Sequence, residues 1–130
     1  MIVADTSALM AILLNEPEAD ACMDALSTAD ALAISAGTMA EALIVADRRG
    51  CGDEMRQLLD GLGLEVTSIT AAAARSVADA YARWGKGVDV AGLNFGDCFA
   101  YALAAERSAS LLYVGNDFGR TDVRPALPVA

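Results

Sequence analysis

Carboxylates are the side chains of this chain that could do chemistry. Histidine is absent, while aspartate and glutamate together number 18. Without imidazole, the chain lacks the commonest general base and the commonest transition-metal ligand. The cysteines Cys22, Cys51 and Cys98 are widely spaced, with no C-x-x-C pair that would indicate zinc or a redox dithiol. Acid–base or metal chemistry must therefore rest on carboxylate oxygens.

Four acids stand apart because of their apolar surroundings. Asp97 opens an otherwise apolar helix, and a carboxylate buried there needs a cation. Asp5 and Asp117 each follow a short apolar run that we predict to be a strand. Glu41 lies in a predicted helix, with apolar residues at three- and four-residue spacing around it. The other acids fall mainly on predicted helix exteriors and loops.

A shared divalent cation would explain this set of acids. Hard cations prefer oxygen ligands, and they supply both an activated water and charge neutralisation for phosphodiester cleavage. Clustered carboxylates without a cation would repel one another and raise some of their pKa values. Each acid also has a simpler structural interpretation. Helix capping alone would account for Asp97, a solvated helix face for Glu41, and turn formation for Asp5 and Asp117.

The predicted elements that position these acids alternate between strand and helix. Strands are predicted at 2–4, 31–34, 64–69 and 111–114, with a short edge strand and tail around Val123 and Val129. Helices are predicted from Ala8 to Leu14, from Pro17 to about Ala29, and over 37–49, 53–62, 71–84 and 97–107, with a loop at 85–95. Thr70 is expected to cap the helix that follows it, and either Thr6 or Ser7 the first helix.

This alternation predicts an α/β fold with a central, mostly parallel sheet of four or five strands, covered by helices on both faces. Right-handed crossovers would place the carboxyl ends of all strands on one rim, and with them the four acids. The 130 residues are most simply a single domain.

Composition limits the classes of function. The net charge of −9 argues against a nonspecific nucleic-acid binder, which needs a basic surface, but it does not exclude a nuclease whose acids surround a metal. No apolar run approaches the roughly 18 residues of a membrane span, and the N-terminus does not resemble a secretory signal. We therefore expect a soluble, cytoplasmic protein without a membrane partner.

Four motifs, taken in order, resemble PIN-domain ribonucleases of the VapC toxin type. They are Asp-Thr-Ser-Ala-Leu at 5–9, Glu41 after Ile34-Ser35, Gly-Leu-Asn-Phe-Gly-Asp-Cys-Phe-Ala-Tyr-Ala-Leu-Ala at 92–104, and Gly-Asn-Asp-Phe-x-Arg-Thr-Asp-Val at 115–123. The block around Asp97 is the most specific of them. The resemblance implies a PIN-like three-layer α/β/α fold. It also implies a Mg²⁺- or Mn²⁺-dependent endoribonuclease that cleaves single-stranded or loop RNA, is inhibited by a VapB-type antitoxin and forms a homodimer.

The acidic quartet of that family corresponds to Asp5, Glu41, Asp97 and Asp117. The metal ligands would be Asp5 and Asp97, with Glu41 and Asp117 as further candidates. Similar proteins often carry two adjacent acids where this chain has Asn116 and Asp117. Asp117 is favoured as the residue that faces the metal because it keeps the charge.

Other polar side chains are candidates for holding substrate. Thr6, Ser7 and Asn116 could position water or a phosphate oxygen, although Thr6 and Ser7 could equally be helix caps. The candidate contacts to an RNA backbone are Arg48, Arg49, Lys86 and Arg120. We also expect the antitoxin to inhibit by placing an arginine among the carboxylates.

Two alternative classes of protein remain open at this point. A phosphate-transfer domain also places an aspartate after its first strand. The haloacid-dehalogenase type needs a second acid where Ser7 stands, and the receiver type needs a lysine after a late strand, whereas the sole lysine is Lys86. The second alternative is a non-catalytic interaction module that binds metal for structure alone.

Overall fold

A parallel five-stranded sheet forms the centre of the computed structural model, which describes residues 1–128. The strands are β1 (Ile2–Ala4), β2 (Leu32–Ser35), β3 (Glu65–Thr67), β4 (Ser110–Leu112) and β5 (Arg124–Pro125). The helices are α1 (Thr6–Leu13), α2 (Ala19–Thr28), α3 (Ala36–Arg48), α4 (Gly52–Leu62), α5 (Ala71–Trp84) and α6 (Phe95–Arg107), with a 3-10 helix at Phe118–Arg120. The strand order is β3-β2-β1-β4-β5, and every pair is parallel.

Successive residues of each strand point to opposite faces of the sheet, and each face packs on its own helices. Val3 and Leu111 are fully buried in a cluster with residues of α5 and α6. On the other face, Ile34 packs with residues of α1, α3 and α4, and Leu112 packs with residues of α1 and α2. The predicted α/β class and three-layer α/β/α arrangement are therefore confirmed.

The strand order reverses at β1, which pairs with β2 on one side and β4 on the other. Two helix pairs, α1–α2 and α3–α4, lead outward to β2 and β3, and α5–α6 return the chain to β4. Open α/β sheets bind ligands in the crevice outside the carboxyl ends of the strands at such a reversal. Asp5, the residue after β1, lies at this crevice.

Most predicted elements are present, and Thr70 caps α5 by accepting a hydrogen bond from the Ala73 amide at 3.1 Å. Strand β3 lies at a sheet edge. Strand β3 is shorter than the predicted 64–69. Because it pairs with a neighbour on one side alone, fewer ladder hydrogen bonds are available to extend it. None of the helices in the described range is long and apolar enough to cross a membrane.

Several predicted boundaries were wrong. Helix α1 begins at Thr6 instead of Ala8, and α6 begins at Phe95 instead of Asp97, since side-chain caps start both helices earlier than the apolar pattern indicates. Helix α2 begins at Ala19, so Pro17 lies before it. Strand β4 ends at Leu112, two residues short of its apolar run. Val129, which was placed in the tail, lies outside the described residues.

Candidate active site

Asp5 is held by the first turn of α1. It is the N-cap of this helix and is 3% exposed. Its Oδ2 accepts hydrogen bonds from the Ser7 amide at 3.0 Å and the Ser7 hydroxyl at 2.6 Å. The Ser7 hydroxyl oxygen in turn accepts a bond from the Val114 amide at 3.0 Å, which ties the end of β4 to the same point. The prediction that Thr6 or Ser7 caps α1 was therefore wrong, because the carboxylate one residue earlier is the cap.

Asp97 is held by a capping box at the start of α6. The Asn94 side chain accepts from the Asp97 amide at 2.8 Å, and Oδ2 of Asp97 accepts from the Asn94 amide at 3.0 Å. The pattern Asn-x-x-Asp at 94–97 is a recognisable variant of the capping-box signature, and it could have placed the helix start correctly. Asp97 is thus both a capping residue and a buried acid at 9% exposure.

Glu41 meets the first turns of two other helices. Its Oε1 accepts a 2.6 Å hydrogen bond from the Thr6 hydroxyl at the start of α1. Its other oxygen lies against Gly96 in α6, so closely that a Cβ at Gly96 would overlap the carboxylate. Glu41 is therefore half-buried and oriented, and the interpretation as a solvated helix face is wrong. The role of Gly96 was missed, since no local pattern shows which distant side chain a glycine admits.

Asp117 approaches the other acids from the segment after β4. It precedes the 3-10 helix, is exposed, and lies near enough to Asp97 to raise the pKa of that carboxyl. Four residues separate it from the end of β4, so it follows the strand less directly than the sequence indicated. The adjacent Asn116 is also exposed.

The electrostatics of the site reflect burial and mutual repulsion. Burial raises the pKa of Asp5 to about 6, opposed by its bonds to Ser7 and assisted by the charges of Asp97 and Glu41. Burial also raises the pKa of Asp97 to about 6, opposed by the Asn94 amide and assisted by Asp117 and Glu41. In residues 1–128 none of these acids forms an ion pair with lysine or arginine. The cluster therefore carries uncompensated negative charge at neutral pH.

The donor set fits a hard divalent cation. All four candidates offer carboxylate oxygens, which are the ligands that such cations prefer. Oδ1 of Asp5 is buried with no hydrogen-bond partner, an arrangement that costs free energy unless another group satisfies it. No three acids in the described part of the chain are already gathered into a complete ligand group. A bound cation would thus have to draw these carboxylates closer together, against their repulsion.

The predicted substrate-positioning residues separate into two groups. Thr6 and Ser7 lie in the site, but their hydroxyls hold Glu41 and Asp5. Arg48 is exposed and stands seven residues beyond Glu41, about 10 Å further along α3. Arg120 donates to the carbonyl of Val90 at 3.0 Å and contacts the 85–94 loop instead of an acid. Arg49 and Lys86 are exposed, and in the described part of the chain neither forms an ion pair with an acid of the cluster.

Comparison with known proteins identifies the family of this chain. The family model described as the PIN domain matches residues 2–124. Ribonuclease VapC28 of Mycobacterium tuberculosis is 42% identical over 130 residues, which cover 97% of this chain and 98% of that protein. Ribonuclease VapC of Mycolicibacterium smegmatis is 38% identical over 125 residues, which cover 94% and 97% of the two chains.

Solved structures show the same fold at low sequence identity. A toxin–antitoxin complex from Klebsiella pneumoniae matches with a TM-score of 0.73 at 18% identity, covering 99% of this chain and 100% of the other. VapC20 of M. tuberculosis, described as a sarcin-ricin loop cleaving toxin, matches with a TM-score of 0.74 at 17% identity, covering 96% and 100%. The family model and the curated relatives together span nearly the whole chain. This chain therefore belongs to the PIN-domain family and, within it, to the VapC group.

Proposed function

We propose that this chain is a metal-dependent endoribonuclease toxin that cleaves single-stranded or loop RNA and is inhibited by a VapB-type antitoxin. The observation that carries the proposal is a pair of neighbouring buried carboxylates, Asp5 after β1 and Asp97 in α6, which form no ion pair with lysine or arginine within residues 1–128. Relatives 42% identical over nearly the full length are named ribonucleases, which supports RNA as the substrate. Cleavage of an internal bond suits a crevice at an open sheet rim.

The metal ligands we propose are Asp5 and Asp97, with Glu41 and Asp117 completing the set, and Mg²⁺ or Mn²⁺ as the ion. When bound, such an ion activates water and neutralises charge on the scissile phosphate. The chain's own residues orient the ligands. Ser7 holds one oxygen of Asp5 and leaves Oδ1 free, while the Asn94 amide occupies only one oxygen of Asp97. In this proposal Thr6 and Ser7 act by orienting the acids.

An antitoxin arginine placed among these carboxylates would inhibit by occupying the site of the cation. The uncompensated charge of the cluster supports this mechanism, since a guanidinium can bond two carboxylates in a planar, bidentate geometry. Comparing the parent antitoxin with a variant whose arginine is changed to alanine tests this mechanism. If the variant inhibits as well as the parent, the mechanism is wrong.

We also propose that the protein forms a homodimer. Large apolar side chains are exposed on α3, β3 and α6, namely Ile44, Val66 and Phe95, and burying them would favour association. The proposed location is the cytoplasm, where the RNA substrate is found.

The decisive experiment measures cleavage of an end-labelled single-stranded RNA by purified protein. We expect cleavage with Mg²⁺ or Mn²⁺, loss with EDTA, and recovery when Mn²⁺ is added back. Asp97→Asn should abolish cleavage, whereas Asp60→Asn, at an exposed position of α4, should not. Undiminished cleavage by Asp97→Asn would refute the proposal.

The same purified protein also tests the two alternative classes, a structural metal-binding module and a phosphate-transfer domain. A structural metal-binding module would bind Mn²⁺ without cutting RNA under any condition. A phosphate-transfer domain would instead become phosphorylated on Asp5 when treated with acetyl phosphate. Mass spectrometry of the treated protein detects that product directly.

A further inference from the structure

A chain of hydrogen bonds joins α6 to the segment that carries Asp117. The Tyr101 hydroxyl donates to Oδ1 of Asp122 at 2.5 Å and accepts from Nε1 of Trp84 at 3.0 Å. Tyr101 is only 7% exposed, and its ring packs edge-on against Trp84 with the centroids 6.3 Å apart. Because the indole N–H can only donate, the tyrosine proton is left for Asp122. The direction of both bonds is therefore determined.

The position of Tyr101 in α6 connects these hydrogen bonds to the acid cluster. Tyr101 follows Asp97 by four residues, so the two side chains lie on the same face of the helix, one turn apart. Asp122 follows Asp117 by five residues on the facing segment. Two pairs of residues thus each have one member on α6 and one on the 117–122 segment. The first pair is Asp97 and Asp117 of the candidate site, and the second is the hydrogen-bonded Tyr101 and Asp122.

The segment between Asp117 and Asp122 is internally braced. Phe118 is 3% exposed and belongs to the same core cluster as Tyr101. The amide and the hydroxyl of Thr121 both donate to the Phe118 carbonyl, at 3.0 and 2.7 Å. Anchoring Asp122 therefore restrains the backbone at Asp117 as well.

The buried Phe118 ring anchors the backbone beside Asp117, but the Asp117 side chain itself is not held within residues 1–128. Its side chain is exposed and makes no capping bond to the 3-10 helix that follows it in the described chain. The ion pair of Arg83 with Asp122 spans 3.5 Å between side chains that are 63% and 54% exposed, so solvent screens it. The buried tyrosine hydroxyl is the more rigid anchor of the two.

We propose that Tyr101 is a positioning residue, whose hydrogen bond to Asp122 sets the separation between the Asp117 and Asp97 carboxylates and thereby the affinity of the site for a divalent cation. This inference rests on the proposed function, because it assigns both acids to one metal site. Substituting a residue that orients the metal ligands, without itself binding the metal, commonly changes the metal affinity.

Calorimetric titration with Mn²⁺ in the absence of RNA tests the proposal. Tyr101→Phe removes only the hydroxyl and should weaken Mn²⁺ binding about tenfold. Asp122→Ala should do the same, while Asp122→Asn, whose amide oxygen still accepts from tyrosine, should stay close to the parent. Val77→Ala, a cavity variant of α5 in the same core cluster, controls for lost stability and should leave Mn²⁺ affinity unchanged.

A double-mutant cycle with Asp117→Ala distinguishes positioning from general loosening. If Tyr101 acts through Asp117, then Tyr101→Phe should cause no further loss of Mn²⁺ affinity in the Asp117→Ala background. An equal loss in both backgrounds, or no loss in the parent, would overturn the positioning role. Failure of the parent protein both to bind Mn²⁺ and to cut RNA would instead remove the proposed function, and this inference with it.

Discussion

The hydroxyl of Thr6 donates a 2.6 Å hydrogen bond to Oε1 of Glu41, joining the first turn of α1 to α3. The two residues are 35 positions apart in the chain. The bond orients a half-buried carboxylate whose other oxygen lies against Gly96 in α6. Glu41 thus lies where α3 meets α1 and α6, and all three helices contribute residues to the candidate site.

Thr6→Val should lower cleavage about tenfold, because residues that orient a metal ligand typically have effects of at least that size. Valine keeps the shape of threonine and removes the donor to Glu41. Thr28→Val is the matched control, since the Thr28 hydroxyl bonds only local carbonyls at the exposed end of α2. Rates of RNA cleavage at saturating Mn²⁺ check the expectation, and equal rates for the two variants would contradict it.

Gly96→Ala adds only one methyl group, but it should strongly impair RNA cleavage. The added Cβ would overlap the Glu41 carboxylate, which would have to leave its position. Overpacking of this kind costs about 1–3 kcal/mol of unfolding free energy. Gly61→Ala, in α4 with open space around it, should be neutral or stabilising by about 0.5–1 kcal/mol. Urea unfolding and cleavage assays on both variants make the comparison.

The stability of the metal-free protein should fall as the pH rises through about 6. The pKa values of Asp5 and Asp97 are raised in the folded state from 3.8 to about 6. Between these two pH values the folded protein binds more protons than the unfolded chain does. The resulting stabilisation of the folded state is complete below the unfolded pKa and is lost above the folded pKa. One such shift alone corresponds to about 3 kcal/mol, so the change for the coupled pair is at least of that order.

Thermal unfolding between pH 4.5 and 8 measures this change. Asp5→Asn and Asp97→Asn should each flatten the dependence, while Asp60→Asn should not. Added Mn²⁺ should raise the melting temperature most at the alkaline end, because it binds the deprotonated carboxylates. An identical pH dependence in Asp5→Asn, Asp97→Asn and the parent would show that these acids are not its source.

Changes at Asn116 and Asp117 identify which of the two residues serves the site. Asp117→Asn should weaken Mn²⁺ binding about tenfold or more, whereas Asn116→Ala should have little effect on it. Calorimetric titration with Mn²⁺ is the measurement. The reverse result would move the role of the fourth acid to Asn116 and overturn the assignment made from retained charge.

The sequence by itself determined the order of the elements and singled out the four candidate acids. Short apolar runs alternate with amphipathic helices, and burial on both faces of a parallel sheet produces that pattern directly. The block around Asp97 carries the resemblance to VapC proteins, and comparison over nearly the whole chain confirmed it. Local chemistry also marked the cap at Thr70, because a cap and its partners are three residues apart.

Only the tertiary structure decided how the acids are held. The Ser7 hydroxyl accepts from the Val114 amide because the segment after β4 passes the start of α1. That Glu41 accepts from Thr6 and lies on Gly96 depends on how α1, α3 and α6 pack together. Likewise, the course of α3 sets Arg48 about 10 Å along the helix from Glu41. Such contacts join residues far apart in the chain, and their geometry follows from packing of whole helices, which no local pattern encodes.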